Sequence, residues 1–492
     1  MTAAAEAGGG LRYRSPTGRW VLLATVLGSG VAFLDATVVN IALPTIGEDL
    51  DAGIASLQWV VNAYTLTLSG FLLLGGSLGD HYGRRRVFVL GVVWFALASL
   101  LCGLAPTDET LIAARALQGV GGALLTPGSL AIIEASFRRE DRGPAIGAWS
   151  GLGGVAAAAG PFLGGWLVQA ASWRLVFLIN LPLAAVVAWV SVRHVPESRD
   201  PGATGRLDWV GAALAAVGLA GVVFALTDGP AAGWTSPRIL ATGLAGVAAL
   251  AAFMLWERRT AAPMLPLDIF ASRQFSAANA VTFVVYGALG GSLFLLPIQL
   301  QQVVGWSPLA SGVALVPVTL VMLLLSARAG RLASRIGPRL PMTVGPLLVA
   351  AGFALFTRIG PGASYPVDVL PASLVYGLGL VLTVAPLTAT VLAAAPAEHA
   401  GIASAVNNDV ARTAGLLAVA VLPVAAGISG ADALEPGNFA DGFRLAMTIA
   451  AVLCAAGGAL SWLTIRNPEP EPERDHHLSC PLTAPSPAAR RA

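Results

Sequence analysis

Gly76-Ser77-Leu78-Gly79-Asp80-His81-Tyr82-Gly83-Arg84-Arg85-Arg86 is a polar, glycine-rich turn set between two long apolar runs. It returns as Gly330-Arg331-Leu332-Ala333-Ser334-Arg335-Ile336-Gly337-Pro338-Arg339, which keeps the pattern G-x-L-x-x-x-x-G-x-R. Internal repeats of this kind mark secondary transporters, whose related halves move around a site near the bilayer midplane. The plainer alternative is two Arg-rich turns alike by chance, and the surrounding apolar runs bear on the choice.

A bilayer is crossed by about 20 consecutive apolar residues. Fourteen such runs are read at 20–43, 57–77, 87–105, 110–133, 144–170, 174–194, 208–228, 239–256, 276–300, 308–327, 341–358, 368–394, 402–428 and 442–465. The two copies of the turn follow the second and tenth runs, eight apart, where a plain duplication of six would place them six apart. Two extra spans, 208–228 and 239–256, are therefore expected between the halves. The predicted organisation is an N-terminal tail (1–19), a six-helix bundle (20–197), a linker with two extra spans (198–260), a second six-helix bundle (261–466) and a disordered tail (467–492).

Composition agrees with lipid as the solvent. Of 492 residues, 56% are hydrophobic and 11% charged, against about 25% charged in soluble domains; mean hydropathy is +0.74. The formal net charge of +2 lacks the clustered basic face that nucleic-acid binding needs. Cys102, Cys454 and Cys480 lie far apart, without metal-ligand or disulfide-framework spacing. The chain has no lysine, so it cannot form the lysine-dependent phosphate loop of an ATP-driven pump, which leaves an ion gradient. His81, His194, His399, His476 and His477 fall at loops, span ends or the tail without a nucleophile or metal partner, so no enzyme and no cofactor is expected. The run Trp20–Leu43 is too long for a signal-peptide core and reads as an uncleaved first span.

Arginines crowd alternate loops: Arg84–Arg86, then Arg138, Arg139 and Arg142, then Arg193, Arg199 and Arg206, then Arg258, Arg259 and Arg273, then Arg328 to Arg339. The intervening loops are acidic or neutral. The positive-inside rule places the Arg-rich loops and both termini in the cytoplasm, which an even number of spans permits.

Charge within the spans is the sharpest signal, because it is costly in lipid and commonly functional. Asp35 lies roughly 13 Å from the outer end of the first span and Arg115 roughly 9 Å from that of the fourth, at 1.5 Å per residue. Their similar depth makes them the expected proton-coupling pair, with a structural ion pair (for Asp35) and snorkelling (for Arg115) as alternatives. Asn407, Asn408, Asp409 and Arg412 form a second polar cluster; Asp409 and Arg412 share one helix face and read as a self-neutralised pair. Glu134 and Arg174, near span ends, are explained by interfacial solvation. Gln58, Asn62, Tyr64, Phe283 and Tyr286 combine the aromatic and polar character of a pocket, although each reads first as ordinary packing.

Other features read as devices for movement. Asp80 ends a span beside Gly83, which permits a tight turn, and can pair with arginine or cap a helix. Gly154, Ala158, Gly160, Pro161, Gly164 and Gly165 give the fifth span a smooth, kinkable face suited to close helix contact.

These stretches, in this order, resemble the major facilitator superfamily. Gly76–Arg86, with Gly76, Asp80, Gly83, Arg84 and Arg85, resembles its motif A; Leu111-x-x-x-Arg115-x-x-Gln118-Gly119-x-Gly121 resembles motif B; Gly160-Pro161-x-x-Gly164-Gly165 resembles motif C of antiporters. Leu34-Asp35-Ala36-Thr37-Val38-Val39-Asn40-Ile41-Ala42-Leu43-Pro44 and Trp173-Arg174-x-x-Phe177-x-Ile179-Asn180-x-Pro182 are similar to signatures of the fourteen-span drug:proton antiporters. The resemblance implies an all-α membrane fold of two six-helix halves plus two intervening helices, with motif A as a latch for the state closed to the cytoplasm. It also implies proton-driven export of small hydrophobic drugs or antibiotics across the bacterial cytoplasmic membrane, by a monomer in membrane lipid. Some relatives that export dications carry a carboxylate in span ten; here Ser307–Ser326 has none, so such cargo is not expected. Nutrient uptake by a major facilitator is the alternative within transport. A non-transporting membrane sensor is the alternative outside it, and would call for a soluble domain.

Overall fold

A computed structural model describes residues 10–200, 207–260, 263–395 and 400–467. The tail expected beyond Asn467 lies outside these residues, as do Arg206, His399, His476, His477 and Cys480. Among the described residues, fourteen helices are long and apolar enough to span a membrane. They are α1 (Pro16–Leu50), α2 (Ile54–Tyr82), α3 (Arg84–Gly103), α4 (Asp108–Ser136), α5 (Arg139–Ala170), α6 (Leu175–His194) and α7 (Trp209–Ala232), then α8 (Pro237–Glu257), α9 (Arg273–Val303), α10 (Pro308–Ile336), α11 (Arg339–Phe356), α12 (Tyr365–Ala393), α13 (Gly401–Ala425) and α14 (Pro436–Thr464). Each contains the core of one expected span. Helix is the natural outcome, because lipid offers no partner for backbone polar groups and a helix satisfies its own.

The helix ends are set by local chemistry. Ser15, Asp208, Ser272 and Ser307 cap α1, α7, α9 and α10 with side-chain oxygens that accept backbone N–H groups. Thr107 and Thr110 cap α4 reciprocally. Gly83 (φ 111°) and Gly337 (φ 83°) turn the chain between α2 and α3 and between α10 and α11, in a region of φ where a side chain is strained. The sequence repeat is therefore a structural repeat, and it extends further than the motif. The N–H of Arg85 donates to Glu197 Oε1 (3.1 Å), and the N–H of Arg339 donates to Asn467 Oδ1 (3.1 Å). In each case a residue just past the last helix of its bundle caps the helix that follows the turn.

Within α1–α6, α2 and α3 pack on α4, and α1 packs on α5 and α6; among the later helices, α11 packs on α12 and α14, and α9 on α13. Helices α7 and α8 form a hairpin joined at Gly218, Gly221 and Gly246. The α7 helix lies against both α2 and α13, where Leu219 and Val223 pack with Leu66, Leu416 and Ala420.

The two bundles touch at one end and part at the other. At the Arg-poor end a single apolar core runs through both, from Val38, Leu43 and Ile46 of α1 to Leu295 and Leu300 of α9, and within the second bundle it continues to Phe275 and Val391 near the Arg-rich end. Toward the Arg-rich end of α1–α6 a separate core forms around Val21, Phe88, Ile133 and Val187. One face of α5 makes the difference visible. Near the Arg-poor end, Gly165 abuts Pro308 and Leu309 of α10, and the Pro161 carbonyl abuts Gly312. The same face continues to Gly154, Gly151 and Gly147, beside which no atom stands within 4 Å. The space between the bundles is thus open on the Arg-rich side.

The contact at Gly312 leaves no room for a side chain. Overpacking costs about 1–3 kcal/mol, so Gly312→Leu is expected to hold the Arg-poor end apart and lower transport about tenfold or more without removing the protein from the membrane. Undiminished transport by a well-inserted Gly312→Leu variant would show that the α5–α10 contact is dispensable.

Candidate functional site

Asp35 and Arg115 meet inside the first bundle. Both are fully buried, and Arg115 Nη1 donates to Asp35 Oδ2 at 2.5 Å. The other carboxylate oxygen, Oδ1, accepts from Gln118 Nε2 (2.8 Å) and Asn180 Nδ2 (3.1 Å). Arg115 also donates from Nε to the Val60 carbonyl (3.0 Å) and from Nη1 to Gln118 Oε1 (2.6 Å). Ser99 Oγ accepts from both Gln118 (2.8 Å) and Asn180 (3.3 Å). The guanidinium carbon lies 4.3 Å from the Tyr64 ring and 5.7 Å from that of Phe177, so aromatic faces serve it where no acceptor does.

The sequence builds this cluster by bringing helices unusually close. At Gly119 any side chain would strike Thr67 and the Tyr64 carbonyl. With only hydrogen there, α2 and α4 approach until Thr67 Oγ1 donates to the Ala116 carbonyl at 2.8 Å, and Tyr64 lies against Arg115. Asn180 follows a break in α6 at Ile179; Pro182, two residues on, supplies no N–H for the Leu178 carbonyl.

A buried ion pair is weak evidence of stabilisation, since desolvation offsets attraction, but removing one partner is severe.

The remaining expected residues are placed as follows. Asp80 pairs with Arg84 (2.8 Å), four residues on and across the turn at Gly83. Arg85 and Arg86 face Glu197 at 3.6 Å, and Gly76 lies beside Pro127 of α4. Gly160 and Gly164 pack on Thr37 and Val38 of α1, while Pro161 and Gly165 form the contact with α10 described above. Arg174 is held by Asp49 (2.7 Å), which also accepts from the Trp173 indole (2.8 Å), a tie that interfacial solvation alone did not foresee.

Three expectations are corrected. Asp409 and Arg412 do not close on each other: Asp409 Oδ1 has no hydrogen-bond partner. Both side chains lie by α2, with Ser69 beside Asp409 and Tyr64 near Arg412. Their neighbour Asn408 is exposed and donates only to the Ser404 carbonyl. Gln58 is not free for a ligand, because its amide is bonded to α13 at the Val419 carbonyl. Tyr64 is likewise committed, to the face of Arg115. Of the other pocket candidates, Asn62 is buried with both amide atoms unpaired, Phe283 is exposed and Tyr286 packs partly against the shared core.

Residues 25–420 match the family model of the Major Facilitator Superfamily. The chain is 37% identical over 460 residues to the puromycin resistance protein of Streptomyces alboniger, covering 91% of each. It is 37% identical over 418 residues to the tetracenomycin C resistance and export protein of Streptomyces glaucescens, covering 84% of this chain and 76% of that one. It is 34% identical over 477 residues to the methylenomycin A resistance protein of Streptomyces coelicolor, covering 95% and 96%. Among solved structures, a bacterial homologue of the human lysosomal transporter Spinster, inward-facing and unoccupied, aligns with a TM-score of 0.66 at 18% identity over 92% of this chain and 97% of that one. A D-xylose–proton symporter aligns at 0.65 and 14% identity, over 91% and 98%.

Proposed function

The chain belongs to the Major Facilitator Superfamily, and from that membership we infer that it is a proton-coupled antiporter exporting hydrophobic drugs or antibiotics by alternating access. The observation that carries the reading is the Asp35–Arg115 pair: one ionisable carboxylate, fully buried, with every oxygen held by groups from α4 and α6. A carboxylate can take up and give back a proton, and its bonds to α4 and α6 would let a change in its charge reach both helices. Resistance proteins for puromycin, tetracenomycin C and methylenomycin A among its relatives support a drug-like cargo.

In this reading α1–α6 and α9–α14 are the two rocking halves, with α7 and α8 an inserted hairpin. The Arg-rich end faces the cytoplasm of a bacterial cell, in keeping with the positive-inside rule, so the open space between the bundles receives cargo from inside. The protein acts as a monomer in the cytoplasmic membrane. Motif A is the latch for the opposite state: with the Arg-rich end open, Asp80 is engaged by Arg84 of its own bundle and is available to the other bundle once that end closes.

The test is efflux from proteoliposomes with an imposed pH gradient, over a panel of antibiotics of differing charge and size. Accumulation of at least one apolar compound against its gradient is expected, and collapse of the pH gradient should abolish it. Uphill movement that persists without a proton gradient would refute proton coupling. Reporters placed after Asn467 and within Asp228–Trp234 should lie inside and outside the cell respectively.

A further inference from the structure

We propose that Gln58 is the latch that holds the Arg-poor end closed, by supplying across the interface the hydrogen bond that Pro423 denies to its own helix. Pro423 stands inside α13. Proline has no backbone N–H, so the carbonyl four residues earlier loses its intrahelical donor; that carbonyl is Val419. Gln58, on α2 of the other bundle, places Nε2 at 2.6 Å from this oxygen and 3.4 Å from that of Ala420. The glutamine is 2% exposed. Leu57 and Val60 on one side and Val419 and Leu422 on the other belong to the apolar core shared by the two bundles, so water does not serve either group.

The bond therefore distinguishes conformations. With the Arg-poor end closed, a dry carbonyl and a dry amide satisfy each other, and each alone would be costly. When α13 leaves α2 and water enters, both are solvated and the bond has little value. An interaction that is stronger in one of two states shifts the population toward it. Gln301 makes a second bond across the interface, to the Ile41 carbonyl at 3.0 Å, but no proline has freed that oxygen. Gln58 is set apart by the combination of a proline-freed acceptor, complete burial and a short distance. The proposal concerns the conformational equilibrium alone and holds whichever solute and ion are moved.

The experiment measures distances between spin labels at Gly53→Cys, just before α2, and Ser429→Cys, just after α13, by double electron–electron resonance in lipid nanodiscs. Cys102 and Cys454 are buried; Cys480 is replaced by serine. Loss of one neutral hydrogen bond is worth roughly a two- to tenfold change in a two-state equilibrium, so Gln58→Leu is expected to raise the long-distance population by that factor. Pro423→Ala returns an N–H to the Val419 carbonyl from its own helix, and in that background Gln58→Leu should add little further shift. An equal shift in both backgrounds would overturn the proposal, as would no shift in the native one. Gln58→Met keeps the length of the side chain but has no donor in any protonation state, and should open the Arg-poor end about as far as leucine does. A native distance distribution for that variant would also overturn the proposal, and this keeps the test decisive if Pro423→Ala fails to accumulate.

Discussion

Asp35→Asn is expected to bring gradient-driven efflux down to the level of protein-free vesicles while the protein still inserts and still binds a neutral substrate. Asparagine has the size of aspartate and can accept from Arg115, but it cannot carry a proton. The new amide would meet the donors of Gln118 and Asn180, which now point at Asp35 Oδ1. Rotation of Asn180, whose own Oδ1 has no partner, relieves one of these contacts, and Gln118 keeps Ser99 as an acceptor. Coupling is thus removed with the site nearly intact, and binding assayed at equilibrium separates coupling from folding. Full uphill efflux by this variant would place the coupling proton elsewhere, and Asp409, with its unpartnered buried oxygen, would be examined next.

Arg115→Ala is expected to act on stability before it acts on transport. It strips a fully buried carboxylate of its counter-ion and leaves two neutral amides to solvate it. Breaking a buried pair from one side costs about 3–5 kcal/mol, a large share of the roughly 5–15 kcal/mol by which proteins are stable. The single variant should accumulate poorly and melt well below the native protein in detergent. Adding Asp35→Asn removes the stranded charge and should recover much of the loss, a coupling that a double-mutant cycle reads directly. A single Arg115→Ala variant as stable as the native protein would show that the carboxylate finds solvation elsewhere.

The fold could be read from the sequence because lipid enforces a simple rule. Bilayer thickness fixes the length of a span, and fourteen apolar runs became fourteen helices. Asp35 and Arg115 could be paired because depth along a helix follows from residue count, and charges in lipid are few. What surrounds them was harder to see. Asn180 stands within the Trp173–Pro182 stretch, yet a single asparagine there carries no mark of its direction. Ser99 looks like any small residue in a transmembrane helix. Tyr64 was assigned to a pocket because an aromatic residue on a span gives no sign of which neighbour it faces. The Gln58 contact was invisible for a different reason: its acceptor is a backbone carbonyl, which has no residue code. The position of Pro423 was the available clue, since every proline inside a helix leaves one acceptor unserved. Asp409 and Arg412 show the limit of spacing, because three residues on one helix face let two charges interact without closing a hydrogen bond at Asp409 Oδ1.

The hairpin of α7 and α8 carries a further implication for how the molecule moves. A barrel of two bundles has two long clefts between them, and α7 covers one, touching α2 on one side and α13 on the other. Its attachment to the two is unequal. Trp59 of α2 donates to Asp228 of α7 at 2.9 Å, and Gly70 of α2 lets Ala216 approach closely. Toward α13, the contacts of Leu219 and Val223 with Leu416 and Ala420 are purely apolar. Greasy surfaces slide where hydrogen bonds do not, so in a rocking transporter the hairpin is expected to travel with the first bundle while α13 glides along it. That cleft would then stay shut to lipid, which would leave the opposite flank, beside α5 and α10, to a cargo that steps sideways between membrane and barrel.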